Sequence, residues 1–131
     1  MVGFARDPPN RLTSAYCHEM GDSKTLAPGE ALALSSLVTP TGRGIASRIL
    51  AKTAGGNITL FAFNAGEALT EHTSPFEVLA FVLEGACRFT VGGVDARAPA
   101  GTVVRLPAHV PHALDALEAT RLLLVMLRET A

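Results

Sequence analysis

The sequence predicts an all-β domain, a sandwich or a barrel, on three observations. Beyond residue 44 the chain breaks into short segments of strand length; Gly and Pro punctuate nearly every boundary between them; and no helix of any length fits among them. Ahead of that region, residues 1–28 carry Pro8, Pro9, Gly21, Asp22 and Pro28 with no sustained apolar period. They read as an irregular arm, leaving 29–131 as the folded domain.

Segment 29–38 holds Ala31, Leu32, Leu34, Leu37 and Val38, a spacing that fits a short helix or a strand equally well. Thr39-Pro40-Thr41-Gly42 then breaks the chain. Segment 45–52 alternates as a strand and ends at Ala54-Gly55-Gly56-Asn57; 58–63 is β-branched and aromatic and ends at Asn64-Ala65-Gly66. Residues 66–77 read as a loop that presents His72 and leads into the apolar strand 78–83, ended by Glu84-Gly85.

In 86–91, Cys87, Phe89 and Val91 share one face while Arg88 and Thr90 share the other, so Cys87 reads as a small core residue. Gly92-Gly93 is a two-residue hairpin signal leading to 94–98. Strands follow at 102–106, 112–117 and 121–128, with a Pro-bounded loop at 107–111 that delivers His112. Segments 60–63, 79–82 and 122–127 are apolar on both faces, whereas one face of a solvated barrel is polar. That excess predicts either a second covering layer or a homodimer interface, and we favour the dimer.

Composition excludes several classes of function. A chain of 131 residues is one domain, able to bury about two-thirds of the surface it exposes when unfolded. Eleven basic against 12 acidic side chains leave a charge of −1, which provides no footprint for nucleic acid or an anionic membrane. The longest apolar run, 122–127, is far too short to cross a bilayer, and MVGFARDPPN lacks the apolar core of a signal peptide. Cys17 and Cys87 have no CxxC spacing, so free thiols in a cytoplasmic protein are expected. Tyr16-Cys17-His18-Glu19 sets a thiol, an imidazole and a carboxylate side by side, but neighbours in an extended arm point to opposite faces.

Two spacings carry a family resemblance. Gly66, five residues and His72, closed by Gly85, match a first motif of glycine, five residues, His-x-His, a glutamate and a final glycine; Gly101, Pro107 and His112 match a second. Over roughly 44–128 the chain resembles the small single-domain, conserved-barrel (RmlC-like) members of the cupin superfamily. The resemblance implies a jelly-roll barrel, or double-stranded β-helix. It also implies one divalent transition metal (Fe, Mn, Ni or Zn) held by three histidines and a glutamate. This chain keeps two of those four, His72 and His112, as expected metal ligands. Ser74 replaces the second histidine of the pair, Val78 stands where the glutamate belongs, His109 replaces a glycine and Ala116 an asparagine.

Ser74, Glu77 and His109 are the remaining candidates for contact with a small-molecule ligand. Glu77 lies one position before the expected carboxylate, and alternation sends it to the opposite face unless the register shifts. Two functions follow: a metal-dependent cupin with oxygenase, isomerase or lyase chemistry on a small molecule, or a non-enzymatic metabolite-binding barrel with a degenerate metal site. A purely structural homodimer is a third. No catalytic residue is assigned.

Overall fold

The computed structural model describes residues 26–40, 42 and 44–128. Among them nine strands form: β1 (Ala46–Thr53), β2 (Gly56–Phe63), β3 (Ala68–His72), β4 (Phe76–Glu84), β5 (Ala86–Val91), β6 (Val94–Pro99), β7 (Val103–Leu106), β8 (His112–Ala116) and β9 (Thr120–Arg128). A five-stranded sheet runs β1-β2-β9-β4-β7 and a four-stranded sheet runs β3-β8-β5-β6, with every pairing antiparallel. From β3 onward the chain repeatedly changes sheet, which makes the all-β architecture a jelly-roll barrel. No helix among the described residues is long and apolar enough to cross a membrane.

Cross-strand register sets which side chains face inward. Leu122 opposes Phe61 and Val82, while Phe89 opposes Leu114 and Cys87 opposes Ala116. These positions fill the space between the sheets, where Phe63, Phe89, Val82, Cys87 and Leu122 are essentially inaccessible to water. Cys87 is a free, fully buried thiol whose pKa burial pushes up, as a small core residue rather than a nucleophile requires.

The hairpin between β5 and β6 turns on Gly92 and Gly93, both at positive φ (57° and 86°), the combination that a type I′ turn demands.

Segment 29–38 is not a strand; its one regular element is a short 3-10 helix, Leu34–Ser36. Its role is cover. Val38, with Leu26 and Leu37, packs over Leu50, Leu60 and Ala62 on the outside of the five-stranded sheet, forming a second apolar cluster. Arg121 pins this cover, donating from Nε to the Val38 carbonyl (3.2 Å) and from Nη1 to Glu84 (2.8 Å). The two-faced apolarity of β2 is therefore explained in part by a covering layer. Leu79, Phe81 and Val125 are only half-covered on the same outer surface, and Val103 opposite Phe81 is 52% exposed. The 1–28 arm, with Tyr16-Cys17-His18-Glu19, lies almost wholly outside the described residues.

Candidate functional site

Residues 66–72 do not form a plain loop. Ala68–His72 is an edge strand paired with β8, and a five-residue strand with one half-buried apolar side chain, Leu69, carries almost no β signal in its sequence. The pairing contains an irregularity: Leu69 opposes Leu114, but His72, three residues on, opposes His112, only two residues away on β8. One extra residue reverses the alternation, so His72 joins Leu69 on the inner side when strict alternation would turn it outward.

His72 and His112 thereby meet edge to face, with ring centroids 4.5 Å apart and planes at 67°. His112 is 8% exposed, while His72 stands at the mouth. Each ring is oriented by the backbone carbonyl two residues before it. His72 Nδ1 lies 2.8 Å from the Thr70 carbonyl and His112 Nδ1 lies 3.1 Å from the Val110 carbonyl. A carbonyl oxygen only accepts, so each ring in its neutral form carries its proton on Nδ1 and keeps a lone pair on Nε2.

The pair stands at the mouth end of a chamber of about 90 Å³. Among the described residues Ser74 is the remaining polar member of its wall; the others are apolar, with Val78, Phe89, Leu106, Leu124 and Met126 prominent among them. Burial lowers the His112 pKa, and neighbouring His72 adds to that effect against the Val110 hydrogen bond. The folded state therefore binds this proton less readily than the unfolded chain does. Stability is unaffected above the ordinary value of 6.5 and falls as pH drops below it, levelling off once the folded-state pKa is passed. In metal-free protein the urea midpoint should fall from pH 8 to pH 5.5, and His112→Gln should flatten that part of the profile.

Glu77 is not brought into the chamber. Val78 faces inward, so Glu77 points outward, where its carboxylate takes the Arg105 Nε hydrogen and the Ala108 N–H (3.3 Å). The Arg105 guanidinium holds the Glu77 carboxyl below the usual carboxylate range. Arg105 is accordingly an exterior residue, and Glu77 braces the loop that delivers His112.

His109 is also outside the chamber wall. It is exposed, has φ of 67°, and its N–H donates to the Ser74 carbonyl (2.8 Å), lashing the two loops of the mouth together. A left-handed residue with a Cβ costs about 1–2 kcal/mol, and glycine's extra unfolded-state freedom returns about 0.5–1 of that. His109→Gly should therefore stabilise the protein by roughly 0.5–1 kcal/mol in denaturant unfolding.

Ser74 does line the chamber; its Oγ accepts the Phe76 N–H (3.2 Å), which leaves the hydroxyl hydrogen to be donated.

The metal expected from the motif is tested by the donors present. Among the described residues no third His, Cys, Asp or Glu joins the imidazole pair, and Val78 has no donor atom. A closed three-histidine, one-glutamate centre does not fit this chamber.

A family model for the cupin domain matches residues 59–127, more than half of the chain. The chain belongs to the cupin family. No curated protein matches it. Among solved structures, this cupin is similar to a conserved protein of unknown function from Streptococcus pyogenes, with 28% identity, a TM-score of 0.76, and 86% of this chain and 99% of that one covered. It is also similar to a cupin superfamily protein from Desulfitobacterium hafniense, with 26% identity, a TM-score of 0.75, and coverage of 83% and 100%. A salicylate 1,2-dioxygenase variant from Pseudoaminobacter salicylatoxidans shares the fold alone, at 17% identity, a TM-score of 0.60, and coverage of 67% and 27%.

Proposed function

We propose that this cupin is a small-molecule-binding barrel whose ligand sits in the chamber between the sheets, with its polar end at His72 and His112. The observation that supports this is the composition of the wall: a preformed apolar chamber with two convergent imidazoles and one hydroxyl is how binding sites for small organic molecules are built. No reaction is assigned, because the fold hosts many chemistries and, among the described residues, the chamber's proton carriers are the imidazole pair and Ser74. A thermal-shift screen of small single-ring compounds tests the reading. Stabilisation that depends on the chamber, and that is lost on filling it with Val78→Phe, is expected; indifference to every compound would contradict it.

A divalent ion held by the two imidazoles alone is the second reading. It is favoured by the carbonyl bonds to both Nδ1 atoms, since fixing the tautomer in this way is how ligating histidines are oriented. Metal analysis of protein purified without an affinity tag separates the two. About one ion per chain, lost in His72→Ala, supports the metal; a substoichiometric content indifferent to that change supports the metal-free chamber.

The half-covered outer strip of Leu79, Phe81, Val103 and Val125 is where we place the second copy of a homodimer. A native mass of one chain would remove that proposal.

A further inference from the structure

The chamber's hydrogen-bonding polarity defines its ligand more narrowly than its size does, an inference that rests on the small-molecule reading above. Thr70 O and Val110 O fix both imidazoles as Nδ1–H tautomers, so each neutral ring offers only an acceptor, Nε2, to a ligand. Among the described residues no Lys or Arg contributes to the wall. The Ser74 hydroxyl hydrogen is the one side-chain donor that the described residues leave in it. A carboxylate or phosphate entering here would meet lone pairs in an apolar wall and lose its hydration with no cation to replace it. A hydroxyl group meets the opposite situation, because it can donate to an imidazole Nε2 and accept from Ser74.

The apolar part of the ligand is bounded by Phe89, Leu106, Leu124 and Met126. At about 90 Å³ the chamber is smaller than the ~150 Å³ engineered cavity that admits benzene, so a ring set against Phe89 and Met126 overruns it and reaches the open mouth beside His72, where its hydroxyl meets the imidazole pair.

We propose that the chamber selects neutral, single-ring hydroxyl compounds of phenol type over anions of the same size, with the hydroxyl hydrogen directed to the His72–His112 pair and the ring against Phe89 and Met126. The selection lies in the fixed tautomers. An aromatic carboxylate of similar shape presents only acceptors to acceptors, and a ring without a hydroxyl leaves the imidazoles unpaired.

The test is a methyl-resolved NMR titration of the full-length, chelator-treated protein at pH 8 with phenol, toluene and benzoate. Phenol should move the Leu114, Leu124 and Met126 methyl signals together. Toluene should bind roughly 3–10-fold more weakly, the worth of one neutral hydrogen bond, and benzoate at least ~10-fold more weakly. His112→Phe should bring phenol and toluene to near-equal affinity. Because that variant replaces a buried residue, the wild-type imidazole nitrogens provide a second readout that needs no mutation. Both rings should appear as Nδ1–H tautomers, and phenol but not toluene should shift an Nε2 resonance. Benzoate binding as tightly as phenol, toluene matching phenol, or a protonated Nε2 in both rings of the free protein overturns the proposal while leaving the small-molecule reading intact. Failure of all three compounds to move the chamber methyls overturns both.

Discussion

Gly85→Ala should cost about 3 kcal/mol or more of stability, shifting the urea midpoint sharply while leaving the m-value unchanged. Gly85 joins the two sheets, lying between the last residue of β4 and the first of β5 with φ of 83°. A Cβ there would fall inside the carbonyl oxygen of Ala119, 2.6 Å from Thr120 Oγ1 and 2.9 Å from Thr120 Cα. These are not yielding neighbours. Thr120 is 2% exposed, and its single hydroxyl hydrogen is shared between the carbonyls of Glu118 (2.8 Å) and Ala86 (3.2 Å), so the start of β9 is clamped across the turn. The left-handed conformation alone costs alanine about 1–2 kcal/mol, and the overlap adds to it. Gly101→Ala is the control that separates the two contributions. Gly101 has φ of 90° but open space where its Cβ would go, so it should lose only the conformational part. Equal losses at the two sites would show that the β4–β5 junction is not sterically closed.

Phe89→Ala should be comparably damaging, at about 3–5 kcal/mol, and should also change the chamber. Phe89 is fully buried at the centre of the four-stranded sheet, opposite Leu114, and its ring belongs at once to the core and to the chamber wall. Where the surrounding strands fail to collapse, the removed ring becomes extra chamber volume. Chemical denaturation reads the first effect. The second predicts that the variant accepts a bulkier ring than the wild type does, measurable as a reversal of preference between phenol and a two-ring phenol. A loss under 1 kcal/mol would mean that the sheets are packed far less tightly at this point than the burial of Phe89 implies.

How much of this was legible in the sequence depended on whether the signal was local. Strong alternation in 86–91 and the Gly92-Gly93 pair specified β5, its inward face and its hairpin, because strand and turn chemistry are both properties of neighbouring residues. The motif spacing around Gly66, His72, Gly85, Gly101 and His112 pointed to the barrel, and the family match agrees with it. Three features were not legible. β3 is an edge strand whose stability comes from pairing with β8, not from the β-propensity of Ala68–His72, so it read as a loop. The inward turn of His72 depends on an extra residue in that pairing, visible only once the register is known. The covering of β2 by Val38 and its neighbours is a contact between segments over 20 residues apart, so two-faced apolarity alone did not distinguish a covering layer from a second subunit. Alternation pointed Glu77 outward but left it a ligand candidate, because its pairing with Arg105 and the loop amide of Ala108 has no local signature.

We propose that the His72–His112 pair is the polar end of an apolar small-molecule chamber and not half of a closed metal centre. The most direct measurement is a high-resolution crystal structure of tag-free protein grown with phenol, with anomalous data collected at transition-metal edges. The predicted result is a ring against Phe89, Leu124 and Met126, its oxygen within hydrogen-bonding distance of an imidazole Nε2, and no anomalous peak between the two histidines. A fully occupied metal ion bound by both imidazoles and a third protein ligand, with no ring in the chamber, would contradict it.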